Sequence, residues 1–206
     1  MNNKKKISPI TPYNLTQNDL SLKWDDQTQL KWRKISESLT NHWRKTLAQQ
    51  LHWPVQLECF AIDLYFTEDF LNELENLCVL TKLTSTEANF ESWIFLDSAA
   101  ITTLVHFLLG GTDKYPQGKT PKKQITKSEI TLVSNIIRKI ANDFRNIPLK
   151  KSIGLWEIAE LESNPRLATV ALPKEQLVVI QLGVEIQGQV GSLIVALPKS
   201  LTPNLI

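Results

Sequence analysis

Cysteine and histidine are scarce in this chain of 206 residues, with two of the first and three of the second. Cys59 and Cys78 show neither CxxC spacing nor a His-rich neighbourhood, and His42, His52 and His106 are scattered singly. A zinc site and a disulfide framework are therefore both unexpected, and no cofactor is implied. A long apolar run is missing as well. No window approaches the roughly twenty apolar residues a spanning helix needs. The lysines of MNNKKKISPITPYNL are not followed by the apolar stretch of a secretory signal. A cytoplasmic protein is expected, and the sequon Asn14-Leu15-Thr16 reads as chance.

Charge of one sign is also lacking. Lys plus Arg number 23 against 21 acidic residues, a net +2 that gives no broad field for a polyanion, so nucleic acid is not an expected partner. The clusters Lys4 to Lys6 and Lys119, Lys122, Lys123 and Lys127 read as solvated ends and loops. There is no G-x-S-x-G turn and no glycine-rich phosphate loop with a Lys-Ser/Thr pair ahead of a helix. Glu58, Asp63, Glu157 and Glu160 lie at alternating positions of extended runs, the pattern of a sheet's wet face rather than of an acid/base pair.

What is present is enough apolar material for a core: 42% hydrophobic residues, including six Trp. After Asp25 or Asp26 as cap, Leu30, Trp32, Ile35, Leu39, Trp43 and Leu47 mark a helix that His52-Trp53-Pro54 ends. VQLECFAIDLYF follows as a strand with a bulge near Phe60 and Ala61. TEDFLNELENL is a short acidic connection, and CVLTKLTS and SWIFLDS are two more extended runs. Asp97 then caps a helix carrying Ile101, Leu104, Val105, Leu108 and Leu109, closed by Gly110-Gly111, after which Thr112 to Gln124 reads as an exposed loop.

The pattern restarts. Thr126-x-x-Glu129 is a capping box ahead of Ile130, Val133, Ile136, Ile137, Ile140 and Phe144, and Pro148 closes that helix. SIGLWEIAELESNP, LATVAL, EQLVVIQLGVEIQG and QVGSLIVAL follow as extended segments, the last two joined at Gln187-Gly188 as a hairpin. Helices at 26–50 and 126–146, then strands at 55–66 and 152–162, then strands at 92–97 and 192–197, keep an offset near one hundred. The expectation is an internal duplication, two helix-plus-strands halves sharing one sheet.

Gly110-Gly111 raises a question of its own. A phosphate cradle needs glycines before a helix N-terminus, whereas these follow a helix, where the dipole presents its negative end. They read as a helix stop with an exposed continuation.

The ordered segments resemble a known family. LESNPRLATVALPKEQLVVIQLGVEIQGQVGSLIVALPKSLTPNLI looks like the closing segment of the middle domain of the flagellar motor switch FliM family. WIFLDSAAITTLVHFLLGG resembles its strand, helix and Gly-Gly, and ITKSEITLVSNIIRKIANDF its threonine-started helix. PYNLTQNDLSLKWDDQTQLKWRKISESLTNHWRKTL is similar to its Tyr-Asp segment and first helix, so the resemblance runs from residue 12 to 206.

The fold this implies is α/β (α+β), a pseudo-twofold α/β/α sandwich of CheC-like type. It would form one domain over 12–206, with halves of about 12–110 and 120–206, behind a flexible segment 1–11. CheC-type phosphatases carry an Asp or Ser, a Glu four residues later and an Asn three beyond. Here those positions hold Ser128, Leu132 and Asn135, and leucine cannot supply the carboxylate.

The resemblance thus implies a non-enzymatic scaffold of the motor switch ring at the inner face of the cell membrane. Its alternatives are a component of a non-flagellar type III secretion platform and a CheC-like phosphatase. The family's FliG-contacting loop maps to Gly110 and Gly111, followed here by Thr112, Asp113 and Lys114 in place of the usual x-Gly-Arg. Neighbouring copies of the chain are implied as further partners. A FliN-like protein and a CheY-like regulator are implied only through other segments. Leu15 to Leu20 is similar to the CheY-binding peptide but overlaps the Tyr-Asp segment, and no FliN-docking domain is expected within these residues.

Overall fold

The apolar stripe behind Asp25 winds into helix α1 (Asp26–Leu51) in a computed structural model that describes residues 25–87, 90–112, 124–144, 155–170 and 173–204. The Asp25 carboxylate accepts the backbone N–H of Thr28 at 2.8 Å, satisfying one of the first turn's unpartnered donors. Trp32, Ile35, Leu39, Trp43, Leu47 and Leu51 are buried, while Leu30 falls off the stripe and is 54% exposed. The helix stops at His52, whose φ of 56° is left-handed, just before Pro54.

Strand β1 (Gln56–Phe66) leads to the short helix α2 (Thr67–Glu73), then to β2 (Cys78–Ser85), β3 (Glu91–Asp97) and helix α3 (Ser98–Leu108). Helix α4 (Lys127–Asp143) opens on the capping box, Thr126 and Glu129 bonding each other's backbone. After it come β4 (Trp156–Glu162), a 3-10 turn (Pro165–Leu167), β5 (Gln176–Ile186), β6 (Gln189–Pro198) and a last 3-10 turn (Lys199–Asn204). Pro148, read from the sequence as the stop of α4, lies outside the described residues, as do residues 113–123 of the loop after α3.

The six strands form one sheet in the order β1-β5-β6-β3-β2-β4, every pairing antiparallel. Exchanging β1 with β4, β2 with β5 and β3 with β6 returns the same order reversed, which is pseudo-twofold symmetry. Register obeys it too. Ala61 pairs with Gln181, and moving each by one hundred in opposite senses gives 161 and 81, the observed pair Leu161 and Thr81. The bulge is also duplicated: β1 slips between Cys59 and Ala61, passing Phe60, and β4 slips opposite Lys82 and Leu83, passing Ala159. The halves are interleaved, since the first strand of each pairs with the second strand of the other.

The inner strands bury both faces, so they read as nearly continuous apolar runs. On one face α1, α3 and α4 pack over Val79, Leu83, Ile94, Leu96, Val178, Ile180, Leu193 and Val195. The opposite face, with Leu80, Trp93, Phe95, Val179 and Ile194, is covered by Phe70, Leu71 and Leu74 at α2 and by Ala168 and Val170. This third layer is thin, and polar ties hold it. Lys82 Nζ donates to the Thr169 carbonyl at 3.1 Å, pairs with Glu91 at 2.6 Å and lies over the Trp93 ring. Glu160 accepts the Thr169 N–H at 3.2 Å.

LATVAL, expected as extended, is not a strand in its described part. Asn164 and Pro165 set a capped 3-10 turn through Leu167, and Ala168 to Val170 then cross the sheet without pairing in it. The hairpin at Gln187-Gly188 is as expected, with φ of 52° and 76° at the two central residues.

Cys78 gives a direct check on the closure of this face. Its side chain is fully buried, and burial, helped by the nearby Glu75 and Asp97 carboxylates, pushes its thiol up to about 12. At pH 8 only roughly one thiol in ten thousand is then thiolate. Cys78 is expected to resist a disulfide reagent in the native protein for as long as the denatured chain needs to react completely. Reaction at the rate of a free thiol would show that α2 does not close the sheet in solution.

Candidate functional site: the turn that ends helix α3

Helix α3 is fixed at its start by Asp97, a residue that works on two elements. One carboxylate oxygen accepts the Ala100 N–H at 2.7 Å and the other the Ser192 N–H of β6 at 2.9 Å. Burial raises this carboxyl above its ordinary range, against the pull of those two hydrogen bonds. At Gly191 the first turn of α3 comes so close to β6 that a Cβ there would fall on the Ala100 backbone. The helix therefore leaves the sheet at a set position, and its far end is delivered to a set place.

That far end is a Schellman motif. The Gly110 N–H bonds the Phe107 carbonyl at 3.1 Å and the Gly111 N–H bonds the His106 carbonyl at 2.9 Å, so two of the last-turn carbonyls are satisfied. Gly110 supplies the left-handed residue, at φ of 82°, with open space around it. The second glycine has a different cause: a Cβ at Gly111 would clash with the His106 ring. That ring also stands edge-on to Phe107, 5.0 Å away, and its Nε2 lies 3.1 Å from the Thr112 carbonyl oxygen. An oxygen of that kind can only accept, so Nε2 is the protonated nitrogen.

Of the five candidate residues, the structure places Gly110, Gly111 and Thr112 together on the surface at this helix end, while Asp113 and Lys114 lie outside the described residues. Leu109, counted with the core stripe in the sequence, is 70% exposed, because the helix stops there and its side chain leaves the buried face. His106 and Leu109 are the members that sequence reasoning missed. The pair of glycines was the available signal, since ending a helix needs one left-handed residue and not two. The turn sits at the negative end of the helix dipole, which argues against an anion cradle.

The phosphatase-like positions fall elsewhere, on α4. Ser128 and Asn135 are exposed, Asn135 accepting from Arg138 at 3.2 Å, and Leu132 between them packs against the core. Among the described residues no group of three His, Cys, Asp or Glu is placed to hold a metal ion.

The family described as "Flagellar motor switch protein FliM" matches residues 26–206. The chain belongs to the FliM family. A FliM of Caulobacter vibrioides is 24% identical over 130 residues, which are 63% of this chain and 35% of that protein. The chain thus spans about a third of that relative's length. Among solved structures, the FliM middle domain of H. pylori superposes with a TM-score of 0.72 at 12% identity, covering 87% of this chain and 97% of that one. The FliG–FliM complex of H. pylori contains a chain with a TM-score of 0.73 at 14% identity, covering 88% and 100%. The FliM middle domain of Vibrio alginolyticus gives 0.66 at 19%, covering 84% and 96%. These likenesses establish the fold: the helices and interleaved antiparallel sheet are those of the FliM middle domain.

Proposed function

We propose that this chain is a non-enzymatic scaffold of a flagellar motor switch ring. It contacts a FliG-like protein through the turn at the end of α3. The observation that carries this reading is the exposed turn Leu109 to Thr112, whose backbone is tied at one end to His106 and whose helix is tied at the other to β6. A turn held this firmly meets a partner without first being ordered, which lowers the cost of binding. The solved FliG–FliM complex from H. pylori lends support from a FliM chain of the same fold.

The unit that acts is one domain with halves of about 12–110 and 120–206. Among the described residues β1 and β4 are the outer strands of the sheet, and a contact of one kind of edge with the other would repeat head to tail as a ring requires. The setting that follows is the cytoplasmic base of the flagellum. Among the described residues no helix is long and apolar enough to cross a membrane.

The double substitution Asp113→Ala with Lys114→Ala is expected to weaken binding to the FliG-like protein of the same source roughly tenfold. The thermal transition should stay in place. Calorimetric titration checks the first and circular dichroism the second. Full affinity would put the interface elsewhere, and a stronger capture of non-flagellar secretion-stalk proteins would sink the flagellar reading. With Leu132 in place of a carboxylate, phosphate release from an acyl-phosphorylated receiver domain is expected at the buffer rate.

A further inference from the structure

We propose that His106 is the positioning residue of this turn, and that Gly111 is glycine to admit its ring. The inference rests on the docking role given above to Leu109 to Thr112. In a Schellman motif the residue two past the cap commonly makes an apolar side-chain contact with the residue three before it. Here those two residues are Gly111 and His106, and the contact is inverted: the earlier residue brings the side chain, and the later one brings only backbone.

The imidazole then reaches one residue further, donating from Nε2 to the Thr112 carbonyl at 3.1 Å. The ring is also braced edge-on against Phe107, which is buried and packs in turn against the tilted Trp53 ring at 5.5 Å. The chain leaving α3 is thus held at three successive residues, Gly110 and Gly111 by their N–H groups and Thr112 by its carbonyl. His106 also spends the Thr112 acceptor internally, so the partner meets the exposed Thr112 and Leu109 side chains and the bare Gly110 backbone.

The experiment compares full-length His106→Leu, His106→Gln, Gly111→Ala and Thr112→Arg. Two readouts are used: affinity for the FliG-like protein and hydrogen exchange of the Gly111 amide in the free chain. Leucine fills the space without a donor, glutamine carries an Nε2–H of similar reach, and alanine displaces the ring. His106→Leu and Gly111→Ala are each expected to lower affinity about tenfold and to speed Gly111 exchange by a similar factor. Glutamine should recover most of both. The Thr112→Arg variant should bind weakly with exchange unchanged.

If His106→Leu leaves exchange and affinity as they were while Thr112→Arg weakens binding, the positioning role is wrong and the docking turn stands. Should Thr112→Arg bind normally, the docking reading falls and this inference falls with it. Failure of glutamine to rescue would also overturn the role given to the Nε2 hydrogen bond.

Discussion

Replacing Trp43 by alanine is expected to cost about 4 kcal/mol, within the range for emptying a tryptophan site in a packed core. Trp43 is fully buried where α1 of the first half meets α4 of the second. Its ring meets Phe144 edge-on at 5.5 Å, and Phe144 in turn tilts onto Trp156 at 5.8 Å, so the truncation opens a cavity beside two more large rings.

A polar loss is added. The Phe144 N–H turns to the Ala141 carbonyl, leaving the Ile140 carbonyl without its regular helical donor, and the Trp43 indole N–H supplies one at 3.2 Å. Against a total stability of about 5–15 kcal/mol, such a loss removes a large share. The measurement is the urea midpoint at unchanged slope. Trp43→Phe separates the two causes: it keeps ring packing and drops the donor, and should cost about 1–2 kcal/mol. A loss under about 1 kcal/mol for Trp43→Ala would mean that α1 and α4 are not joined as described.

Gly191→Ala is the second large effect, about 3 kcal/mol, near the upper end of what overpacking usually costs. The added methyl would fall on the Ala100 backbone and within 2.7 Å of its Cβ. Neither partner can yield: Gly191 sits in a central strand paired with Val184, and Ala100 is pinned by the Asp97 carboxylate that also holds Ser192. Gly183→Ala is the control. Its methyl would meet the Phe60 ring, a side chain 37% exposed on a bulge that can swing toward solvent, so about 1 kcal/mol or less is expected. Thermal unfolding of the two variants checks the contrast, and equal shifts would contradict the close seating of α3 on β6. Because α3 ends in the turn proposed to dock the partner, Gly191→Ala should also reduce partner affinity even below its melting temperature.

Much of this was legible locally. Asp25, Asp97 and the Thr126–Glu129 box announced three helix starts within a residue, and the bulge at Phe60 and the hairpin at Gln187-Gly188 were read from their own segments. Signals of this kind survive because capping and turn geometry are decided by residues three or four apart.

The pairing of the strands was not legible. The offset of one hundred announced two related halves, but periodicity tells which face a residue takes and not which strand lies beside it. Nothing in β1 itself names β5 as its neighbour. LATVAL misled because its apolar alternation is that of a strand, whereas Asn164 and Pro165 had already turned the chain out of the sheet. At the candidate site the helix stop was visible, but the reason for its second glycine was not. That reason is a ring five residues back, brought near only once Gly110 takes its left-handed conformation.

The interleaving of the halves bears on mechanics. Were each half a separate lobe, a sideways load on the turn after α3 would open a seam between them and be lost as bending. Among the described strands there is no such seam: the central pair β3 and β6 joins the halves, and each outer strand is zipped to the opposite half. A push at Thr112 travels down α3 to its seat on Gly191 and enters β6, from which every strand is reached through ladders of hydrogen bonds. Such a body tilts or shifts as one stiff piece, and in the proposed ring its neighbours would feel the whole displacement.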